Sequence, residues 1–338
     1  MFIVVGIFVF CASLWMLSDV LLLLFGAILV AITLTVLAAP FVRLGFWPSI
    51  AVISAASIIF VIVALIAFLF GSDLVNEARA LYVRFNAASE NVASQLQIES
   101  IGSLIQSVSN GGNISNLVTR FLSWGMSLGQ ALFSLLLILV GGLYIALDTD
   151  LYKNGFLKLI PSSYQDNARA TLDDIESALR AWVGGQFMAM ILMGLLTGVG
   201  LSLTGIQSAL ALGVLAGLAN MVPYLGSVLA AVVTLVVASA QGWEYVGWAA
   251  GVMFAVQQIE SNVITPLVVG RAVSIPPATG MFAIIAIGVL FGPLGILLGF
   301  PLAVATDVAI RRLYVRDTLD EDVNILGKAA QRSEDVKA

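Results

Sequence analysis

Eight long apolar runs decide what this chain can fold into: residues 2–17, 20–42, 49–71, 122–147, 187–204, 207–240, 245–269 and 277–310. Each is near or above the roughly 20 residues an α-helix needs to cross the hydrocarbon of a bilayer. Lipid offers no partner to a backbone N–H or C=O, so such runs must satisfy themselves as helices, whereas a β-barrel would show short alternating strands. The rest of the chain does not dilute the signal: 60% of residues are hydrophobic and 10% charged, with a mean hydropathy of +1.04, where soluble domains carry about 25% charged residues. The expected fold is an all-α polytopic membrane protein with about eight hydrophobic segments. The first run starts at Met1 with no basic stretch and no small-residue cleavage site, and a second follows at once, so it reads as a retained helix.

What is missing narrows the chemistry. There is no histidine, one cysteine (Cys11, inside the first run) and no GxxxxGK[ST] phosphate loop. Nothing supports nucleophilic catalysis, a metal site, a cofactor or ATP hydrolysis, and the chain is not expected to be an enzyme. The net charge of -5 resides in the loops; it gives no reason to expect nucleic acid, and the bilayer itself is the first partner.

The loops set the organisation. Residues 1–71 read as N-terminal membrane helices, turned at Ser18 and Asp19 and again near Pro40 and Arg43. Residues 72–120 form an extracytoplasmic amphipathic region, with Leu74, Ala78, Leu81, Phe85, Ala88 and Val92 at heptad spacing. A membrane helix occupies 121–148, and 149–183 is a cytoplasmic amphipathic region whose helix at about 165–183 lies along the inner membrane surface or beneath the bundle. Residues 184–313 are the transport core, and 314–338 a cytoplasmic polar tail. Lys153, Lys158, Arg169 and Arg180, then Arg311, Arg312, Arg316 and Lys328, place both basic segments and both termini in the cytoplasm.

One run carries most of the polarity. QQIESNVITP (257–266) puts a carboxylate and several amides into an apolar span. Wound as a helix, Gln257, Gln258, Ser261, Asn262 and Thr265 share an arc of about 140°, with Glu260 about 60° beyond, while Ile259 and Val263 lie opposite. Ionisable groups at membrane depth mark substrate or ion pathways. Asp307 is the other candidate, although Arg311 stands at i+4 and makes an ion pair its first reading.

Two runs are too long for one span and too short for two. Residues 207–240 are broken by NMVPYLGS (220–227), and 277–310 by LFGPLG (290–295). Proline removes a helix donor, and freed backbone groups in a membrane must line a cavity or be buried in protein. Pro223 with Gly226, and Pro293 with Gly292 and Gly295, therefore mark two re-entrant hairpins. The stretches 223–238 and 292–307 lie 69 residues apart, each after one complete span, and opposite orientation would make them the inverted repeat of a secondary transporter.

The segments IPSSYQDNARATLDDIESALRAWVGGQ (160–186), NMVPYLGS, QQIESNVITPLVVG (257–270), IPP (275–277) and GPLGILLGFPLA (292–303) resemble the autoinducer-2 exporter family of bacterial inner-membrane transporters. The resemblance implies a homo-oligomer, a pentamer, that exports a small polar signal, some members resembling sodium or lithium/proton antiporters. It covers Gln186, Asn220, Pro223, Tyr224, Gly226, Asn262, Pro266, Gly270, Pro276, Gly292, Gly295 and Pro301. Ser227 stands where the family usually has a second proline, and Ile275 where a histidine often precedes proline. Three functions stay open at this stage. A small-metabolite exporter would use the amides and the backbone of 220–227, with Glu260 or Asp307 carrying a coupling proton. An antiporter would bind Na⁺ and H⁺ in turn at the same carboxylates, and a scaffold would transport nothing.

Overall fold

The computed structural model describes residues 17–58, 61, 65, 133–239, 241–269 and 275–316, with 265–269 traced by backbone alone. The expectations for the first run with Cys11, for the region 72–120 and for the tail beyond 316 lie outside the described residues. Among the described residues every regular element is a helix. In chain order these are α1 (Ser18–Arg43), α2 (Pro48–Ile58), α3 (Phe133–Leu147), α4 (Thr149–Leu157), α5 (Gln165–Leu203), α6 (Ala209–Ala219), α7 (Leu225–Ser239), α8 (Trp243–Ile259) and α9 (Pro277–Ile310). The helices α8 and α9 continue with wider π-type winding over Glu260–Val269 and Arg311–Arg316. Pro266 has no N–H to donate to a carbonyl one turn back, and a wider turn is one way a helix accommodates that loss.

Among the described residues three helices are long and apolar enough to cross a membrane: α1, α5 with its lead-in (Ser162–Leu203), and α9 with its continuation (Pro277–Arg316). A fourth arises if α3 and α4, bent by 92° at Asp148, are taken as one span. The reach of α9 is less than its length, because the chain reverses at Gly292, where φ is 64° and ψ -145°. A Cβ on Gly280 would meet the Phe300 ring at 2.7 Å, one on Gly299 the Ile284 Cα at 2.8 Å, and one on Gly295 would strike the Ile287 carbonyl. These contacts hold the two arms, 277–291 and 293–310, antiparallel. The other long run is likewise two helices, α6 and α7, joined through 220–224. Ala219 meets Gly226 there, and Ala216 packs with Ala230 farther along. Arms of 11 and 15 residues rise about 17 and 22 Å, short of a hydrocarbon core of about 30 Å.

The helix α5 differs from the expectation. It runs unbroken for 39 residues, so the amphipathic helix expected at about 165–183, along the inner surface or beneath the bundle, and the following span are one rod that crosses Gly184–Gly185. The reason is burial: the stripe of Leu179 and Trp182 packs into the largest core cluster, against Leu22, Leu29 and Ile32 of α1 and Phe300, Val304 and Val308 of α9. Trp182 stacks on Phe300 with ring centroids 5.8 Å apart. The rod ends at Thr204 with Gly205 at φ 74°, and the Ile206 and Gly205 N–H groups cap the carbonyls of Leu201 and Ser202. The chain then returns through α6, packed glycine on glycine: a Cβ on Gly213 would lie 2.6 Å from the Gly198 Cα, and one on Gly217 2.7 Å from the Met190 carbonyl. Small residues at i and i+4 on both helices let the backbones approach, a usual device where lipid supplies no hydrophobic drive.

Charge gathers at the other end of α5. Arg312 donates to Asp174 in a buried pair linking residues 138 apart in sequence. Lys153 of α4 bridges Asp173 and Glu176, the latter at 3.2 Å, and Arg169 reaches the Asn154 amide oxygen at 2.7 Å. The two basic segments that the sequence assigns to one side of the membrane thus touch each other.

Candidate functional site

Three elements far apart in sequence meet beside α5. The apolar stretch AWVGGQFMAM carries one amide, Gln186, which is buried and donates its Nε2 to the backbone carbonyl of Asn220. Asn220 caps the end of α6, where the helix loses its bonds. Its side chain is buried and lies within interaction range of the Glu260 carboxylate. Gln257, one turn earlier on α8, donates to that carboxylate at 3.0 Å. Packing of Val256 and Ile264 against Ala189 and Met193 of α5 holds this part of α8 in place. The result is a half-buried acid between the exposed amide of Gln257 and the buried amide of Asn220.

The bend that delivers Asn220 is strained. Tyr224 has φ 67°, a conformation that is uncommon for a residue with a side chain and costs about 1–3 kcal/mol. It is fixed on both sides: the Leu225 N–H donates to the Pro223 carbonyl at 2.8 Å and the Gly226 N–H to the Val222 carbonyl at 2.9 Å. The Tyr224 ring lies 6.4 Å from Phe300 and within electrostatic reach of Glu260. Gln186 and Trp182 also border a cavity of about 10 Å³ with Leu29 and Thr33, halfway along α1, room for a single water. The indole N–H of Trp182 and the side-chain oxygen of Asn220 are buried and have no hydrogen-bond partner among the described residues.

The predicted residues separate into groups. Glu260, Gln257, Asn220 and Tyr224 come together, with Pro223 and Gly226 shaping the bend. Gln258, Ser261 and Asn262 are exposed on the outer side of α8, and Ser261 and Asn262 bond back to the carbonyls of Gln257 and Gln258. Ile259 and Val263 are exposed as well, so the polar arc does not enclose a cavity within one chain. The side chains of Thr265 and Pro266 lie outside the described residues. Gly292, Pro293 and Gly295 form the tip of the α9 hairpin, about 18 Å along the arm from the Gly280–Phe300 contact that borders Tyr224. The two breaks therefore do not touch. Asp307 pairs with Arg311 at 2.7 Å, as its spacing suggests, away from Glu260. Trp182 and Phe300 join the site only in three dimensions, whereas Gln186, a position the family resemblance covers, also carries a local signal as a lone amide in an apolar run, the same logic that selects Glu260.

Removing the Gln186 amide tests the arrangement. Gln186→Leu strands the buried Asn220 carbonyl, a loss of about 1–3 kcal/mol. The thermal midpoint in detergent should fall, and an unchanged midpoint would take Gln186 out of the site.

Apolar helices of membrane-crossing length, two of the long runs doubled back on themselves, and an acid–amide cluster at one of the breaks define a multi-pass membrane protein of the transporter class. The chain belongs to the AI-2E family transporter family, whose sequence model matches residues 3–314. It is 30% identical over 158 residues to "Putative transport protein YrrI" of Bacillus subtilis (strain 168), covering 47% of this chain and 45% of that protein. It is 33% identical over 195 residues to "Putative transport protein MT0215" of Mycobacterium tuberculosis (strain CDC 1551 / Oshkosh), 57% of this chain and 49% of the relative. A "Putative transport protein" of Thermotoga maritima is 27% identical over 248 residues, 72% and 75% of the two chains. The alignments to the first two relatives named here span about half the length of each. The family is one of transporters rather than enzymes.

Proposed function

We propose that this chain is a secondary transporter of the bacterial inner membrane that exports a small polar metabolite or signal of the autoinducer-2 type, with both termini in the cytoplasm. The observation that carries the reading is the convergence of Gln186, Asn220, Gln257 and Glu260 from three elements at the broken α6–α7 segment. Three amides around one acid offer donors and acceptors to a neutral, hydroxyl-rich solute, and the single acid can carry a coupling proton. The unpartnered Asn220 oxygen and Trp182 N–H are groups that such a solute would satisfy. The two doubled-back arms support an inverted pair of re-entrant hairpins, since neither arm of α6–α7 is long enough to cross. Exposed amides at Gln258 and Asn262 are costly against lipid, and a neighbouring copy of the chain would cover them, in keeping with a homo-oligomer such as a pentamer.

Reconstituted protein in liposomes tests this. Autoinducer-2 loaded inside should leave faster than from empty-lipid controls, and an imposed pH gradient should accelerate it. Glu260→Gln should keep flux down the substrate gradient and lose the acceleration. A Na⁺-driven pH change without signal flux would make the protein an antiporter, and silence in both assays a scaffold; either overturns the proposal.

A further inference from the structure

The short helix α4 is amphipathic in the wrong sense for water. Wound at about 100° per residue, Leu151, Gly155, Tyr152 and Phe156 occupy an arc of about 140°, and all four face outward. Leu151 is 63% and Phe156 52% exposed, and a Cβ on Gly155 would meet nothing within 4 Å. Leu159, just past the helix, is 82% exposed. The polar side of the helix reaches α5 at two points: Lys153 pairs with Asp173 and Glu176, and Asn154, itself exposed, accepts from Arg169, while Asp150 is exposed. Only Leu157 on that inner side is a buried apolar residue.

The position of α4 says what covers the outer arc. Gly26 abuts Ile138, Gly141 abuts Ala27 and Gly142 abuts Val30, so α3 runs parallel to α1. By that register Asp148 is level with about residue 35 of α1, some eight residues and about 12 Å short of Arg43. The 92° bend at Asp148 therefore turns α4 flat while still within the height of a membrane-crossing helix. Its outer arc continues the exposed apolar side of α3, Leu136, Val140 and Tyr144.

We infer that α4 is an interfacial helix whose Leu151–Tyr152–Phe156 face is embedded in the bilayer at the boundary of headgroups and acyl chains. Helices of this kind bury an apolar face about 5–10 Å into that boundary, and Tyr suits the level because it has an apolar body and a polar tip. The inner face clamps α5, so the lipid boundary fixes the height of the charged end of that rod.

Spin labels report the surroundings directly. In a Cys11→Ala background, labels at Leu151→Cys and Phe156→Cys in full-length protein, reconstituted in phosphatidylethanolamine and phosphatidylglycerol vesicles, should collide more often with oxygen than with a water-soluble nickel chelate. The opposite order would place the face in water and overturn the inference. Dipolar broadening between labels on two copies, absent on dilution with unlabelled protein, would assign the face to a second copy and overturn it equally. A measurement on the unaltered chain guards against misfolded variants: a membrane-partitioned diazirine should label the segment 149–159 on illumination, and an unlabelled segment beside a labelled α3 would refute the lipid contact.

Discussion

Arg312→Ala is expected to destabilise the protein by about 3–5 kcal/mol, the usual cost of removing one partner from a buried ion pair. Asp174 is 5% and Arg312 9% exposed, so the truncation leaves a carboxylate in a low-dielectric setting with its cation gone. The Arg312 Nε has no partner among the described residues, so the pair with Asp174 is the chief satisfaction of this guanidinium. The neighbouring pair gives the control. Arg311 and Asp307 are one turn apart with side chains 29% and 26% exposed, and Arg311→Ala should cost about 0.3–0.5 kcal/mol. Thermal unfolding followed by tryptophan fluorescence in detergent should separate the two variants clearly. Replacing both partners, as Asp174→Leu with Arg312→Met, should recover much of the loss, since a well-packed apolar pair can match a buried ion pair. Equal midpoints for Arg312→Ala and Arg311→Ala would show that the Asp174 pair is solvated rather than buried.

Gly226→Ala should be the most damaging single-methyl change among the described glycines. The added Cβ would lie on the Ala219 carbonyl group and 2.8 Å from the Asn220 N–H. Those atoms are main chain and cannot swing aside, so the bend must open, at a cost of about 3 kcal/mol or more. Asn220 would move with it, and the amide contacts of Gln186 and Glu260 would go. Alanine is a better helix former than glycine, but it cannot simply let one helix run through 220–227 here, because α6 and α7 lie against each other at this glycine. Gly292→Ala probes a different cause, since its Cβ would meet nothing but its backbone at φ 64° and ψ -145° disfavours any side chain by about 1–3 kcal/mol. Pro223→Ala keeps the carbonyl that Leu225 uses and should be mildest. Thermal midpoints should rank the three in that order, with transport lost first in Gly226→Ala.

Local rules made part of this architecture readable. Runs of awkward length with a Pro and Gly inside them pointed to 220–224 and to Gly292, and the chain turns at both. The Asp307–Arg311 pair was readable because both residues sit on one helix face. What was not readable depends on distance or on which side of a helix meets the protein. Nothing local couples Asp174 to Arg312. The apolar stripe of 165–183 fits the membrane surface and the underside of the bundle equally well, because periodicity shows that a helix has an apolar side but not whether lipid or protein meets it. In α4 the same ambiguity resolves the other way, with the greasy side outward. Asn220 is legible in the sequence as part of a break; its proximity to Glu260 depends on α5 holding α6 and α8 at one level through Gly194, Gly198 and Met193.

The continuity of α5 has a mechanical consequence. Asp174 and Gln186 are separated by twelve residues of uninterrupted helix, about 18 Å of rise and a net azimuth of about 120°. The rod therefore behaves as a shaft: any torque that the last helix exerts through Arg312 arrives at the amide end as the same rotation, because no joint between them can absorb it. A one-residue insertion at Gly184–Gly185 would dephase the two ends by about 100°, leaving either the ion pair or the Gln186–Asn220 bond aimed at the wrong neighbour.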